Sequence, residues 1–223
     1  MTQGGTMEFS LMFPVWRKYV ACYLVILYGG AGYLLTNNIS ISEPTLFPLW
    51  DIDNLMPFLP WTLIVYSSIF GLIFIMPFLI NSELMLKRTL LTGVSLITVN
   101  LAFFIIMPIE YPARPAIDSV LEIGSFWHNV YSILYNTDNA KNCFPSMHVS
   151  MVTFFVLIFY KTRPTMFKIF SIYGVFVALS TMTTKQHYFI DVVAGLLLAG
   201  LVYVIVGEEM VPQTREERNS GHD

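Results

Sequence analysis

Six apolar runs separated by short polar breaks leave this chain few ways to fold. They lie at about 19–35, 59–80, 89–107, 146–160, 166–182 and 188–206. A helix crosses a bilayer core with about 20 mostly apolar residues, and every run but the fourth is close to that length. Hydrophobic residues make up 55% of the 223 and charged residues 12%, where a soluble domain carries roughly 25% charged. A water-soluble globule of this size cannot cover its surface with so little charge. Disorder, a collagen-like fibre and a disulfide scaffold fail on the same composition. The expected fold is all-α: a single six-transmembrane-helix bundle over 1–206, followed by a polar cytoplasmic tail over 207–223. The runs are apolar all round, so periodicity does not separate lipid-facing from buried faces.

The net charge of −3 argues against a nucleic-acid partner. Cys22 lies in an apolar run and Cys143 in a polar loop, so no structural bridge is expected, and no Cys/His spacing suggests a structural zinc. The first 16 residues carry no Lys or Arg and do not resemble a cleaved signal, so the first run is expected to be a retained helix. The turns 81–88 and 161–168 are short and basic. The connection 108–144 is long. Its stretch 117–135 mixes apolar and aromatic residues with Asp118, Glu122, His128 and Asn129, which predicts an extracytoplasmic interfacial helix between the third and fourth spans.

Six helices put both termini on one side. Arg17, Lys18, Lys87, Arg88, Lys161, Arg163, Lys168, Arg215 and Arg218 then share that side, which the positive-inside rule makes cytoplasmic. Arg114, Lys141 and Lys185 fall on the opposite face. Around them stand Arg114-Pro115, Pro145-Ser146-Met147-His148 and Lys185-Gln186-His187-Tyr188-Phe189-Ile190-Asp191. A carboxylate alone would suggest a proton or cation path, whereas a cation-rich cluster suits an anion, and phosphate above all. His187 and Asp191, four residues apart at the start of the last helix, share one face. Such a carboxylate holds one imidazole nitrogen and leaves the other free to attack. Ser146 opens the fourth helix, whose unpaired N–H groups suit anion oxygens. His148, in that first turn, is placed as a general acid. Each group has a plainer role available to it: Lys185 snorkelling, Asp191 capping a helix, Arg114 meeting a lipid headgroup. His128 and His222 are assigned such structural roles. Ionisable groups gathered at membrane depth are functional by default.

At these residues the sequence resembles the phosphatidic acid phosphatase type 2 superfamily of membrane phosphatases and lipid phosphotransferases. Its three signatures are Lys-x6-Arg-Pro, Pro-Ser-Gly-His and Ser-Arg-x5-His-x3-Asp. They match here as Arg114-Pro115, Pro145-Ser146-Met147-His148, and Ser180 with His187 and Asp191. The usual Lys, Gly and Arg are replaced by Met107, Met147 and Thr181. Lys185 and Lys141 are expected to restore the lost positive charge. The wording around His148 and His187 looks like the branch that includes inositol phosphorylceramide synthase-like proteins.

The resemblance implies a metal-independent lipid phosphatase without cofactor. His187 would attack phosphorus, Asp191 would orient it, and His148 would protonate the leaving group. Arg114, Lys185, Lys141 and the amide end at Ser146 would hold the oxygens. The expected partners are a lipid phosphate substrate and membrane lipids. A lipid phosphotransferase passing a phosphate headgroup to an alcohol is the near alternative. An inactive binding or scaffold member and a transporter or channel stand further off. The expected location is a bacterial inner membrane, with the site facing the periplasm.

Overall fold

The computed structural model describes residues 15–39 and 41–208, and its helices follow the apolar runs. In chain order they are α1 (Val15–Asn38), strand β1 (Thr45–Leu46), α2 (Asp51–Leu55), α3 (Leu63–Leu79), α4 (Glu83–Ile106), strand β2 (Ile109–Glu110), α5 (Ile117–Val120), α6 (Phe126–Thr137), α7 (Met147–Tyr160), α8 (Pro164–Thr183) and α9 (Phe189–Val202). A wider π-type turn, Tyr203–Glu208, prolongs α9. The rest of the expected tail, with Arg215, Arg218 and His222, lies outside the described residues. Helix starts follow local chemistry. Ser82, Ser125 and Ser146 each accept a hydrogen bond from the amide three residues on, at Met85, His128 and Val149. Pro164 opens α8, where a missing N–H costs nothing.

The chain is a helical membrane protein. Among the described residues five helices are long and apolar enough to cross a bilayer: Val15–Asn38, Pro60–Leu79, Glu83–Ile106, Pro164–Thr183 and Phe189–Gly207. The sixth apolar helix, α7, has 14 residues, about 21 Å of rise against a core of about 30 Å. It is also the most enclosed. Val149, Val152, Phe154, Phe155, Ile158 and Phe159 are all buried, and α7 packs on α8, α9 and α4. Large apolar side chains elsewhere point outward, among them Leu24, Ile64, Phe78 and Leu197. In water such a surface would aggregate; it suits a lipid solvent. Lys18 is buried because its ammonium donates to the Ile80 carbonyl at the end of α3 (3.0 Å), where a cation offsets unpaired carbonyls.

The polar end is more built than the sequence suggests. Stretch 117–135 is two helices rather than one. α5 ends at Leu121, whose backbone is extended, and Gly124 then adopts φ +83° in the connection to α6, a conformation that glycine adopts without strain. His128 joins the pieces: Nε2 pairs with Asp118 Oδ1 (2.9 Å), and Nδ1 accepts from the Gly124 amide (3.3 Å). Residues 41–58 form a strap. Thr45 and Leu46 pair in parallel with Ile109 and Glu110. Asp53 accepts from the amide of Phe189 at the start of α9 (2.6 Å). Lys185 donates to the carbonyls of Asp53 (3.1 Å) and Met56 (2.6 Å). The strap is thereby fixed over the α8–α9 turn.

Candidate active site

The first turns of α7 and α9 meet at this end, and a glycine sets their distance. A Cβ at Gly195 would lie 2.7 Å from the Ser146 carbonyl oxygen and 3.3 Å from the Ser150 nitrogen. Both are backbone atoms, so the helices touch main chain to main chain. The Ser146 amide also donates to the Asp191 carbonyl (3.1 Å). Gly195→Ala is therefore expected to push the α7 start from α9 and destabilise the fold by about 1–3 kcal/mol, as overpacking does. Thermal unfolding in detergent would show the loss, and phosphoryl turnover, where measured, should fall with it.

Asp191 is fully buried in the first turn of α9. Its Oδ2 accepts from the Tyr188 amide (2.9 Å) and lies 3.3 Å from His187 Nδ1. Capping and orienting are thus one act. His187 Nδ1 also lies 2.9 Å from the Cys143 carbonyl oxygen. A carbonyl can only accept, so Nδ1 carries the proton and Nε2 keeps the lone pair. The backbone of Thr181 supports this turn, its carbonyl accepting from the amides of Gln186 and His187.

His148 lies across from His187, with ring centroids 6.1 Å apart. Its ring stacks on Tyr66 at 4.0 Å and meets Phe70 edge-on at 5.6 Å. That sandwich fixes the imidazole plane, while its Nε2 is buried without a protein partner. At their 6.1 Å centroid separation the two imidazoles make no direct hydrogen bond. Arg114 closes a third side. It donates to the Asp138 carbonyl (2.6 Å), to Asp138 Oδ2 (3.2 Å) and to Gln186 Oε1. It also lies over the Tyr135 ring, at 5.0 Å from the centroid.

Not every expected residue joins them. Lys185 sits at the α8–α9 turn, but its ammonium is spent on the strap carbonyls. Burial pulls its pKa below the usual lysine value, and the nearby Asp53 carboxylate opposes that shift. Lys141 is half-buried in the α6–α7 connection and does not line the polar pocket. Ser146 is fully buried, its hydroxyl committed to capping α7. Conversely, Asp138, Gln186, Tyr33, Tyr66 and Asn142 line the polar pocket with Arg114 and His187. Sequence reading missed them because uncharged polar residues and one loop carboxylate give no spacing signal.

Below the polar pocket runs an apolar cavity of about 460 Å³ between α1, α3, α4 and α7. Tyr33, Tyr66 and Asp138 line both spaces, and His148 lies on the wall of the larger one. On α1 the lining extends from Cys22 to Leu34, about 18 Å of helix and close to the depth of one leaflet. Buried polar atoms without a protein partner include Arg114 Nε and Asn142 Oδ1 on the polar pocket's lining and His148 Nε2 on the wall of the larger cavity. Such atoms are rare in folded proteins. Cys143, His187 and Asp191 also offer ligand atoms within 4.8 Å of one another, a set that could hold a metal ion. Burial pushes the Cys143 thiol up, which favours the protonated thiol over a metal-binding thiolate.

The fold and the site define a helical membrane protein with two neighbouring imidazoles and a half-buried arginine at one end of the bundle. The chain belongs to the PAP2 superfamily, whose family model matches residues 57–205. That superfamily comprises phosphatases and phosphotransferases, so an enzyme is the supported class. The match takes in α3 to α9 and leaves α1 outside it. No curated protein matches the chain.

Proposed function

We propose that this protein transfers the phosphoryl group of a lipid phosphate ester through a phosphohistidine at His187. Hydrolysis by water is the simplest outcome, and transfer to an alcohol follows the same first step. The observation that supports this most is the tautomer of His187: Nδ1–H is held by Asp191 and the Cys143 carbonyl, leaving Nε2 as a nucleophile opposite His148. Nε2 attacks phosphorus, the N–P bond forms and the ester P–O bond breaks. His148 gives its proton to the leaving oxygen. Asp191 stabilises the imidazolium, and Arg114 with the first amides of α7 faces the non-bridging oxygens. An acceptor hydroxyl or water then attacks phosphorus, passes its proton to His148 and releases His187.

The apolar cavity supports a lipid substrate, since an acyl chain can lie in it while the phosphate meets the imidazoles. In this reading α7 is the sixth span, enclosed by its neighbours. α5 and α6 lie at the interface, the termini are cytoplasmic, and the site faces the outer side, as in a bacterial inner membrane with a periplasmic active site. The test is product analysis with purified protein in detergent and a chelator, using a panel of lipid phosphate esters. Chelator-resistant release of phosphate or a transferred headgroup is the expected result. No turnover of any lipid ester, or turnover only with added metal, would overturn the proposal.

A further inference from the structure

The seam between α1 and α3 is fastened at one end of the apolar cavity and loose at the other. At the fastened end Lys18 donates to the Ile80 carbonyl (3.0 Å), Tyr23 donates to the Phe74 carbonyl (3.3 Å), and the Tyr19 and Phe78 rings lie 5.1 Å apart. Farther along α1 the polar partners lie elsewhere. Tyr28 meets Thr98 of α4 (2.9 Å), and Tyr33 and Asn37 donate to Asp138 (3.1 and 3.4 Å). Leu34 of α1 and Phe70 of α3 line the cavity on this stretch, yet they are 58% and 54% exposed. Gly30, one turn before Leu34, is exposed as well, and a Cβ on it would meet nothing within 4 Å. Across from them Ile97 of α4 and Met151, Phe154 and Phe155 of α7 are buried. The cavity therefore opens sideways, toward lipid, between α1 and α3.

Its size fits one hydrocarbon chain. A methylene fills roughly the 30 Å³ share of one liquid water, so a cavity of about 460 Å³ takes on the order of fifteen methylenes. Two chains would need about twice that volume. The α1 lining from Cys22 to Leu34 spans about 18 Å, close to the depth that one chain fills in a leaflet. One end of this space borders the chemistry, where Tyr33, Tyr66 and Asp138 are shared with the polar pocket and His148 stands on the wall. The other end is a floor at Cys22, Ile80 and Thr89. The segment that matches the superfamily, 57–205, leaves α1 out, so the helix that forms half of the mouth and part of the floor is not part of that match.

Granted the phosphoryl-transfer reading above, we propose that this cavity is a chain-length-limiting subsite. It takes one long hydrocarbon chain of the phosphate ester, admitted sideways between α1 and α3 past Gly30, Leu34 and Phe70. Cys22 stands where the chain ends and limits its length. A second chain, in a lipid that has one, stays in the bilayer outside the mouth.

Two readouts test this with the full-length protein in mixed micelles. The first uses hexadecyl phosphate carrying a photoreactive diazirine at the free end of the chain. Peptide mapping after irradiation is expected to place the label on the floor, at Cys22, Ile80 or Thr89. Label confined to outward-facing residues such as Leu24 and Phe78 overturns the subsite. The second is the ratio of kcat/KM for hexadecyl phosphate to that for octyl phosphate, whose chain reaches only half the depth. Cys22→Phe fills the floor and is expected to lower the ratio by about tenfold, the scale of an overpacking clash. Gly30→Trp narrows the mouth and should lower it in the same direction, and the open space around that position lets the variant fold even where Cys22→Phe does not. A ratio unchanged in the folded variants overturns the inference, because a bystander lipid in the cavity would leave both esters equally affected. Label on the floor with turnover of no lipid ester would uphold the chain subsite and overturn the phosphoryl-transfer reading instead.

Discussion

His187→Ala is expected to abolish turnover, by roughly 10⁴-fold or more, the scale on which hydrolases lose rate when a nucleophile is removed. The expectation rests on geometry rather than on the presence of a histidine. Nδ1–H is claimed by two acceptors, Asp191 Oδ2 at 3.3 Å and the Cys143 carbonyl at 2.9 Å. The ring can only present Nε2, and no neighbouring side chain can take over as nucleophile. Cys143 is the nearest alternative, but its thiol is engaged with the Ala140 carbonyl at 2.9 Å and burial holds it protonated. Quenched reactions with substrate labelled at phosphorus should trap an acid-labile, alkali-stable adduct in wild type and none in the variant. Removing the ring leaves the buried Asp191 with only the Tyr188 amide, so the variant should unfold more readily while keeping its helical circular dichroism. Near wild-type turnover in a folded His187→Ala would remove the nucleophile from the mechanism.

How much of this was legible in the sequence varies with the kind of interaction. Long apolar runs specify helices because lipid leaves backbone groups no outside partner, so the run edges lie within about four residues of α1, α3, α8 and α9, while α4 starts at Glu83, ahead of its run at 89, through a polar first turn capped by Ser82. The shortness of the fourth run was visible too. Its cause was not: α7 is enclosed by α4, α8 and α9, and only tertiary packing reveals that. The pairing of His187 with Asp191 follows from helical periodicity, and the structure holds the two 3.3 Å apart. The cations were harder. Lys185 shares the face of the site in sequence, yet a lysine stem is long enough to point either way, and the carbonyls of Asp53 and Met56 attract it. Asp138 had no motif around it, and its partners Tyr33 and Asn37 lie about 100 residues away. The single helix expected over 117–135 breaks over 121–125, where Leu121 turns extended and Gly124 is left-handed, because amphipathic character does not register backbone conformation.

The second large effect is expected at His148, and its signature is chemical. His148→Phe keeps an aromatic ring on Tyr66 and against Phe70, where the imidazole now stacks at 4.0 Å and meets an edge at 5.6 Å. It removes both nitrogens, including the buried Nε2 that has no protein partner. A general acid contributes about 10²–10⁴-fold, so turnover of an alkyl lipid ester should fall by that factor. An ester with a p-nitrophenyl leaving group needs no proton to depart, and its first step should be far less affected. Burst kinetics separate the steps: with that ester the variant should still release one equivalent of p-nitrophenolate and then stall, because His148 also takes the proton from the acceptor hydroxyl. A positioning residue would slow both esters in proportion and show no burst. Equal losses on alkyl and p-nitrophenyl esters would therefore strip His148 of its acid–base role and leave it as the ring that, with Tyr66, walls the junction of the two cavities.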